Sequence, residues 1–355
     1  MTAASPLDLH LHLSQVPAPA SRPPEYRGLR RDEVRLLVID KHTGARSHAR
    51  FYELPDYLAA GDVVVVNTSA TIPGRLKARV RGQTLYIHLA TKLDAHRYIV
   101  ERRTAGGGPD RQAFAAHETI DILHPLTEQV VATLVVEQRF HPNSRLWEVT
   151  CDRDLFALAA RVGAPIRYNY VDGHYDTSMY QTVFAHHPGS AEMPSAGRPF
   201  THDVLRNLTL KGIKVRSLVL HTGVSSHEVE TDLSQYPVLP EWYSVPEGTA
   251  AAVNQATREG RRVIAVGTTV VRALESAADT DGCVAPTSAW TTHLVTPDTP
   301  PKVVTGIVTG LHESQTSHLA MMYAFTRPVY LQKAYQDAVE RGYLWHEFGD
   351  VSLIL

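Results

Sequence analysis

A chain of 355 residues, 43% hydrophobic and 20% charged, is long enough for two domains and a sizeable core and has the composition of an ordinary soluble protein. Thirty-five Lys and Arg against 37 Asp and Glu leave a formal net charge of −2, which excludes a global attraction to nucleic acid. No apolar run approaches a membrane span and no secretory signal opens the chain, while two cysteines, Cys151 and Cys283, give neither a disulfide framework nor a zinc spacing. The expectation is a cytoplasmic protein with no membrane partner. The 19 histidines form no His-x-x-x-His helix and no Cys/His cluster, so no metal is expected.

Residues 1–32 are rich in Pro, Ser and Arg and read as an extended, partly mobile arm wrapping a surface. Arg30, Arg31 and Arg35 crowd its end, within reach of an anion or simply solvated. Leu36–Asp40 and Ala49–Phe51, joined by a His42-Thr-Gly44 turn, predict a hairpin. Leu54–Leu58 predicts a short helix, and Val63–Val66 a strand buried on both faces. Asn67, at that strand's end, is either a turn residue or a ligand donor. Six short β-branched runs follow: Lys77–Arg81, Thr84–Leu89, Arg97–Glu101, Thr119–Leu123, Val131–Val136 and Leu146–Thr150. Separated by glycine-rich or polar breaks, they predict an antiparallel β-barrel over 76–150, inserted into an α/β mixed-sheet domain made of 1–75 and 151–355. Lys and Arg alternate with apolar residues there, the mark of outward-facing strand positions.

Helices return after residue 151. Asp154–Arg161, His202–Leu210, Pro246–Arg258, Leu319–Phe325 and Lys333–Arg341 have helical spacing. A long irregular run from Pro165 to Thr201 has the length of a functional loop. Val215–Leu220 predicts a strand leaving through His221-Thr-Gly-Val-Ser-Ser-His227, and Val308-Thr-Gly310 leads into Leu311–Ser317.

The chain is organised around Arg262-Val-Ile-Ala-Val-Gly-Thr-Thr-Val-Val-Arg-Ala-Leu-Glu-Ser276. A buried strand, a Gly267-Thr268-Thr269 turn and a helix place free N–H groups at a helix N-terminus, where an anion is favoured. Arg272 has the chemistry to fork onto a carboxylate with Glu275 orienting it. The competing reading is a helix capped by Thr268 or Thr269, with Arg272–Glu275 as a surface pair. Three strands with polar, Gly-containing exits make the crevice of an open α/β sheet. The ligand site is therefore expected where Gly267–Thr269, His221–Gly223 and Ser195–Gly197 meet, beside the barrel.

From about residue 33 to the C-terminus the chain resembles the S-adenosylmethionine:tRNA ribosyltransferase-isomerases of queuosine biosynthesis. The resemblance is carried by Arg35–Asp40, Gly61–Asn67, Ile72-Pro-Gly-Arg-Leu76, Tyr180-Gln-Thr-Val-Phe184, Glu241-Trp-Tyr243, Val266–Glu275 and Phe348-Gly-Asp350. It implies S-adenosylmethionine as a substrate rather than a methyl donor. Its ribosyl part moves onto the aminomethyl group of a 7-deazaguanine in tRNA and isomerises, while adenine and methionine leave. The matching positions imply substrate contacts from Asn67, Arg75, Tyr180 and Gln181, from Ser195, Ala196 and Gly197, and from Gly223. Further contacts are implied for Glu241, Trp242 and Tyr243, and for Gly267, Thr268, Thr269 and Arg272.

Several loops depart from the family pattern. Where the family reads Ala-Pro-Thr-Ala-Gly-Leu-His-Phe-Thr, this chain has Met193-Pro-Ser-Ala-Gly-Arg-Pro-Phe-Thr201, so a histidine has become Pro199. The Asn-Asp-Thr-Arg pattern is Asn67-Thr-Ser-Ala70, and Phe-His-Leu-Pro-Lys-Ser-Thr is Leu311-His-Glu-Ser-Gln-Thr-Ser317, which removes an Arg and a Lys. The expectation drawn is a paralogue that keeps the sulfonium nucleoside but takes a small-molecule acceptor in preference to tRNA, with Arg198 facing a small anion. The ordinary tRNA enzyme and an inactive binding protein remain as alternatives. One of His221, His312 and Glu313, which lie in strand-exit loops, is expected to remove the C5′ proton or protonate the leaving adenine; the competing reading is a histidine hydrogen-bonded to backbone to fix a turn.

Overall fold

The computed structural model describes residues 7–110, 112–142, 144–224 and 238–355. Among these, nine strands make one mixed sheet, in the order Thr287–Thr291, Glu241–Val245, Lys214–Leu220, Val63–Asn67, Val263–Val266, Gly306–Gly310, Val351–Ile354, Arg35–Ile39 and Arg46–Arg50. The four strands from Lys214–Leu220 to Gly306–Gly310 run parallel to one another. Their apolar runs are continuous because both faces are covered. Val63 and Val65 join a core with the helices Glu247–Arg258, Thr268–Ala277, Ser317–Phe325 and Pro328–Glu340. Val64 and Val66 point the other way, onto the helix His202–Leu210 and the 3-10 segment Phe51–Tyr57. Each fully buried valine of this kind contributes about 1.5–3 kcal/mol.

Arg35–Ile39 pairs antiparallel with Arg46–Arg50, as the hairpin reading expects. Where a helix over Leu54–Leu58 is expected, Leu54–Tyr57 belongs to a 3-10 segment and Leu58 is its extended C-cap, because Pro55 removes a backbone donor inside it.

The six β-branched runs close into an antiparallel barrel: Arg75–Val80, Gln83–Lys92, Arg97–Arg103, Thr119–Leu123, Val130–Arg139 and Leu146–Thr150. Alternation drives the closure: Leu76, Ala78 and Val80 are buried while Arg75, Lys77 and Arg79 are not fully so. One stretch of the outer face departs from expectation. His88, Glu101 and Arg103 alternate with inward residues yet are buried, and Arg103 pairs with Glu101 at 2.7 Å. The barrel meets the α/β part through Ala90, Ile99 and Leu146 packing with Ile166, Ala191 and Val224.

Residues 7–32 of the arm are docked. Leu7, Leu11 and Leu13 pack on the main core, and Ala18–Pro19 pairs in parallel with Leu344–Trp345. Among the described residues no helix is long and apolar enough to cross a membrane.

Candidate active site

The carboxyl ends of the parallel strands open on one cleft. Its wall includes Ser195 and Ala196, Thr222 and Gly223, Gly267 to Thr269, and Leu311 to Glu313, with Leu146 reaching in from the barrel. The three loops singled out in the sequence are therefore neighbours beside the barrel. Asn67 sits behind them at 3% exposure and ties them together. Its Nδ2 donates to Leu220 O at 2.8 Å and Thr269 Oγ1 at 3.3 Å, while Oδ1 accepts from the N–H groups of Ser69 and Leu220, both at 3.0 Å. Asn67 thus braces the strand exits.

Gly267 turns with φ of 93°, a conformation that favours glycine, and the helix Thr268–Ala277 starts immediately after it. No side chain caps this helix among the described residues, so neither Thr268 nor Thr269 serves as the cap. Thr268 and Thr269 instead present their side of the helix N-terminus to the cleft.

Arg272 also lines the cleft, but its partner is not Glu275. Its guanidinium pairs with Glu241 and donates to His293 O at 3.0 Å. Glu241 in turn accepts from Gly223 N–H at 2.9 Å, which fastens the 221–223 exit to the helix. Glu275 is engaged elsewhere, its carboxylate accepting from the backbone N–H groups of Lys302, Val303 and Val304 at 2.8, 3.1 and 2.9 Å. The spacing of three residues made an ion pair plausible in isolation, but two buried partners with better geometry took both groups.

The rest of the cleft lining holds most of the titratable groups. His312 hydrogen-bonds through Nε2 with Thr309 Oγ1 at 2.7 Å, and its ring centre is 5.1 Å from that of His318. Burial holds both imidazoles neutral, His312 well below the ordinary histidine range and His318 at about 4. Glu313 reaches His346 Nε2 at 3.2 Å, and this contact keeps its carboxyl below the ordinary value. His346 stacks on Tyr170 at 4.3 Å and 16°, and Tyr170 on Tyr168 at 5.7 Å and 7°. The Tyr168 hydroxyl donates to Glu192. Glu347 completes the wall; burial, reinforced by the nearby Glu192 charge, raises it to about 8.

None of Tyr168, Tyr170, Glu192, His318, His346 and Glu347 was singled out from the sequence. Glu347 stands next to the Phe348-Gly-Asp350 motif, which was the available signal. That motif builds the turn: Asp350 accepts from the N–H groups of Arg35 at 2.6 Å and Leu344 at 2.8 Å. A Cβ on Gly349 would lie 2.3 Å from Leu344 O.

Other expected residues are outside the cleft wall. His221 is wedged between Trp242, 5.4 Å away in a stacked pair, and Gly189, where a Cβ would come within 2.4 Å of the ring. Its Nδ1 bonds with Ser69 Oγ at 2.8 Å, and burial lowers its pKa to about 4. Tyr243 is buried in the main core. Gln181 clasps the backbone of Thr71 with two bonds, of 3.0 and 2.8 Å. Tyr180 packs on Phe348 at 5.3 Å, Gly197 against Thr182, and Arg75 over the Tyr86 ring at 3.6 Å.

Arg198 is not exposed to an anion: at 2% exposure it donates to Glu25 at 2.9 Å and Met179 O at 3.0 Å, clamping the arm. Arg30 and Arg31 are likewise engaged by Asp32 and Glu25. Ser225, Ser226 and His227 lie outside the described residues.

The sequence pattern of the family described as "Queuosine biosynthesis protein" matches residues 13–354. A Moorella thermoacetica protein named S-adenosylmethionine:tRNA ribosyltransferase-isomerase is 34% identical over 334 residues, covering 92% of this chain and 94% of its own length. Its namesake from Thermus thermophilus is 34% identical over 355 residues, covering 98% of each chain. A solved Thermotoga maritima S-adenosylmethionine tRNA ribosyltransferase is 25% identical, with a TM-score of 0.48 over 97% of this chain and 96% of its own. With the family pattern spanning almost the whole chain and full-length relatives a third identical, the protein belongs to the S-adenosylmethionine:tRNA ribosyltransferase-isomerase family of queuosine biosynthesis proteins.

Proposed function

We propose that this chain consumes S-adenosylmethionine in the cleft, moving its ribosyl part to an acceptor while adenine and methionine leave. One observation carries the reading: an uncapped helix N-terminus and a set of titratable groups line the same cleft. The methionine carboxylate suits the N-terminus at Thr268 and Thr269, through its donors and the helix dipole. A sulfonium acidifies the adjacent C5′ hydrogens, so a single base starts the elimination. Glu313, exposed at the cleft and held ionised by His346, is the group we assign to that step. His312 is held neutral and bonded to Thr309, which suits it to positioning rather than proton removal. Release of adenine from S-adenosylmethionine, followed by chromatography with wild type and Glu313→Gln, tests this. Equal rates from the two proteins would remove Glu313 from the mechanism.

The comparisons do not carry the preference for a small-molecule acceptor, because the relatives are named for tRNA. Those names support tRNA as the acceptor here. A second reading, a small-molecule acceptor, is favoured by the ion pairing of the barrel cations. Lys77, Arg81, Lys92 and Arg102 are engaged by Glu128, Glu118, Asp154 and Asp110, leaving less free positive charge for phosphates. Ribosyl transfer onto an anticodon stem-loop bearing the aminomethyl deazaguanine, with binding that weakens steeply with salt, supports the first. Transfer onto the free base alone supports the second.

A further inference from the structure

We propose that Glu347 is the acid that protonates the departing adenine, and that the Tyr170–His346 stack beside it seats the base. This rests on the reading that the cleft consumes S-adenosylmethionine. Glu347 lines the cleft, and its Oε2 is shielded from solvent with no hydrogen-bond partner among the described residues. A shielded oxygen left without a protein partner is costly unless a proton or a ligand satisfies it.

The surroundings favour the protonated form. Glu192 is the neighbouring like charge, and Tyr168, Tyr170 and Tyr180 are coupled to Glu347 as weak acids that stay neutral. Arg198 is the opposing cation, but Glu25 takes its guanidinium. Glu313 acts one step away, through His346. Burial dominates, and with Glu192 it raises Glu347 to about 8, so the carboxylic acid persists at neutral pH.

The backbone marks the same turn. His346 holds φ at 73°, a left-handed conformation uncommon for a non-glycine residue. That turn presents the imidazole flat against Tyr170, at 4.3 Å and 16°, and the next residue is the acid. A planar base added to this stack would find a proton donor on the adjoining residue.

The step balances. Glu313 takes the C5′ proton, the C5′–H pair forms a C4′–C5′ double bond as the C4′–O4′ bond breaks, and the freed O4′ pair forms a C1′–O4′ double bond that displaces adenine from C1′. The bond to the base breaks with its pair going to the base, and Glu347 supplies the proton that adenine takes up. One proton leaves the nucleoside at C5′ and one arrives on adenine.

The test is single-turnover adenine release from S-adenosylmethionine between about pH 6 and 10, with the deazaguanine stem-loop and the free base each supplied as acceptor. Wild type should lose rate above about pH 8, as the acid ionises. Glu347→Gln should be slower by about a hundredfold or more and should lack the alkaline limb. Glu347→Asp should restore part of the rate, and Glu192→Gln should move the limb to lower pH. A Glu347→Gln protein that releases adenine at the wild-type rate, or one that is slow but keeps the wild-type limb, overturns the assignment. If wild type itself releases no adenine with either acceptor, the reading of the cleft fails and this proposal fails with it.

Discussion

Arg272 illustrates how a residue's role depends on its neighbours. A free carboxylate clamp would lose about 1.5–3 kcal/mol of ligand binding on truncation. The observed pairing with Glu241 predicts a different result. Both side chains are largely buried, so Arg272→Ala strands a carboxylate and should cost roughly 3–5 kcal/mol of stability in urea unfolding. Replacing both Arg272 and Glu241 by methionine should recover much of that loss. Recovery of nothing would mean that the pair is not the cause. Glu347 makes a second residue-scale prediction. Its carboxyl is raised from 4.5 to about 8 in the folded protein, so between those values the unfolded chain binds fewer protons than the folded one. Wild-type stability attributable to this group therefore falls as pH rises through that window. Glu347→Gln removes the penalty, and its melting temperature should exceed that of wild type by more at pH 8 than at pH 5. A difference independent of pH would show that the carboxyl is not held protonated.

At the scale of elements, the uncapped helix Thr268–Ala277 sets a stability cost against the binding role proposed for it. An acidic residue in its first turn should stabilise the ligand-free protein by about 0.3–1 kcal/mol through the helix dipole. The same charge would stand where the methionine carboxylate is proposed to sit. Thr268→Asp should therefore raise the melting temperature and weaken S-adenosylmethionine binding in calorimetry. Stabilisation with unchanged affinity would place the carboxylate elsewhere. The Gly267 turn and the apolar Val263–Val266 run were readable from sequence because each rests on local chemistry. The absence of a cap was not, since Thr268 and Thr269 are both competent cap residues and only the folded chain shows that the helix begins at Thr268 itself, with Gly267 before it.

For the whole molecule, burial of neutral imidazoles sets the acid limit. His221 and His318 are lowered to about 4 and His312 well below 6.5, whereas all three protonate near 6.5 when unfolded. The unfolded chain thus binds more protons below that pH, and their contribution to stability is present above 6.5 and lost as pH falls towards 4. Urea midpoints should fall steadily over that range. A triple variant with His221, His312 and His318 replaced by glutamine should show a flatter profile, and an equally steep one would assign acid sensitivity to other groups.

Sequence by itself determined the elements and the class of fold, because periodicity, breaks and apolar runs record local propensity and burial. The six alternating runs became the barrel strands, and the doubly buried Val63–Val66 and Val263–Val266 became the centre of the mixed sheet. The family was readable too, since its motifs lie in order along the chain. What only the tertiary structure decided was which polar groups meet. Asn67 and Gln181 resemble ligand donors in sequence but satisfy the backbone of strands far along the chain. Glu275 lies near Arg272 in sequence, yet it binds a loop 27 to 29 residues away while Glu241 takes the arginine. Glu192 and Glu347 are 155 positions apart by numbering and carry no mutual spacing signal. Their proximity comes from two loops folded against the same strand ends, and burial there, reinforced by that proximity, raises Glu347 to about 8.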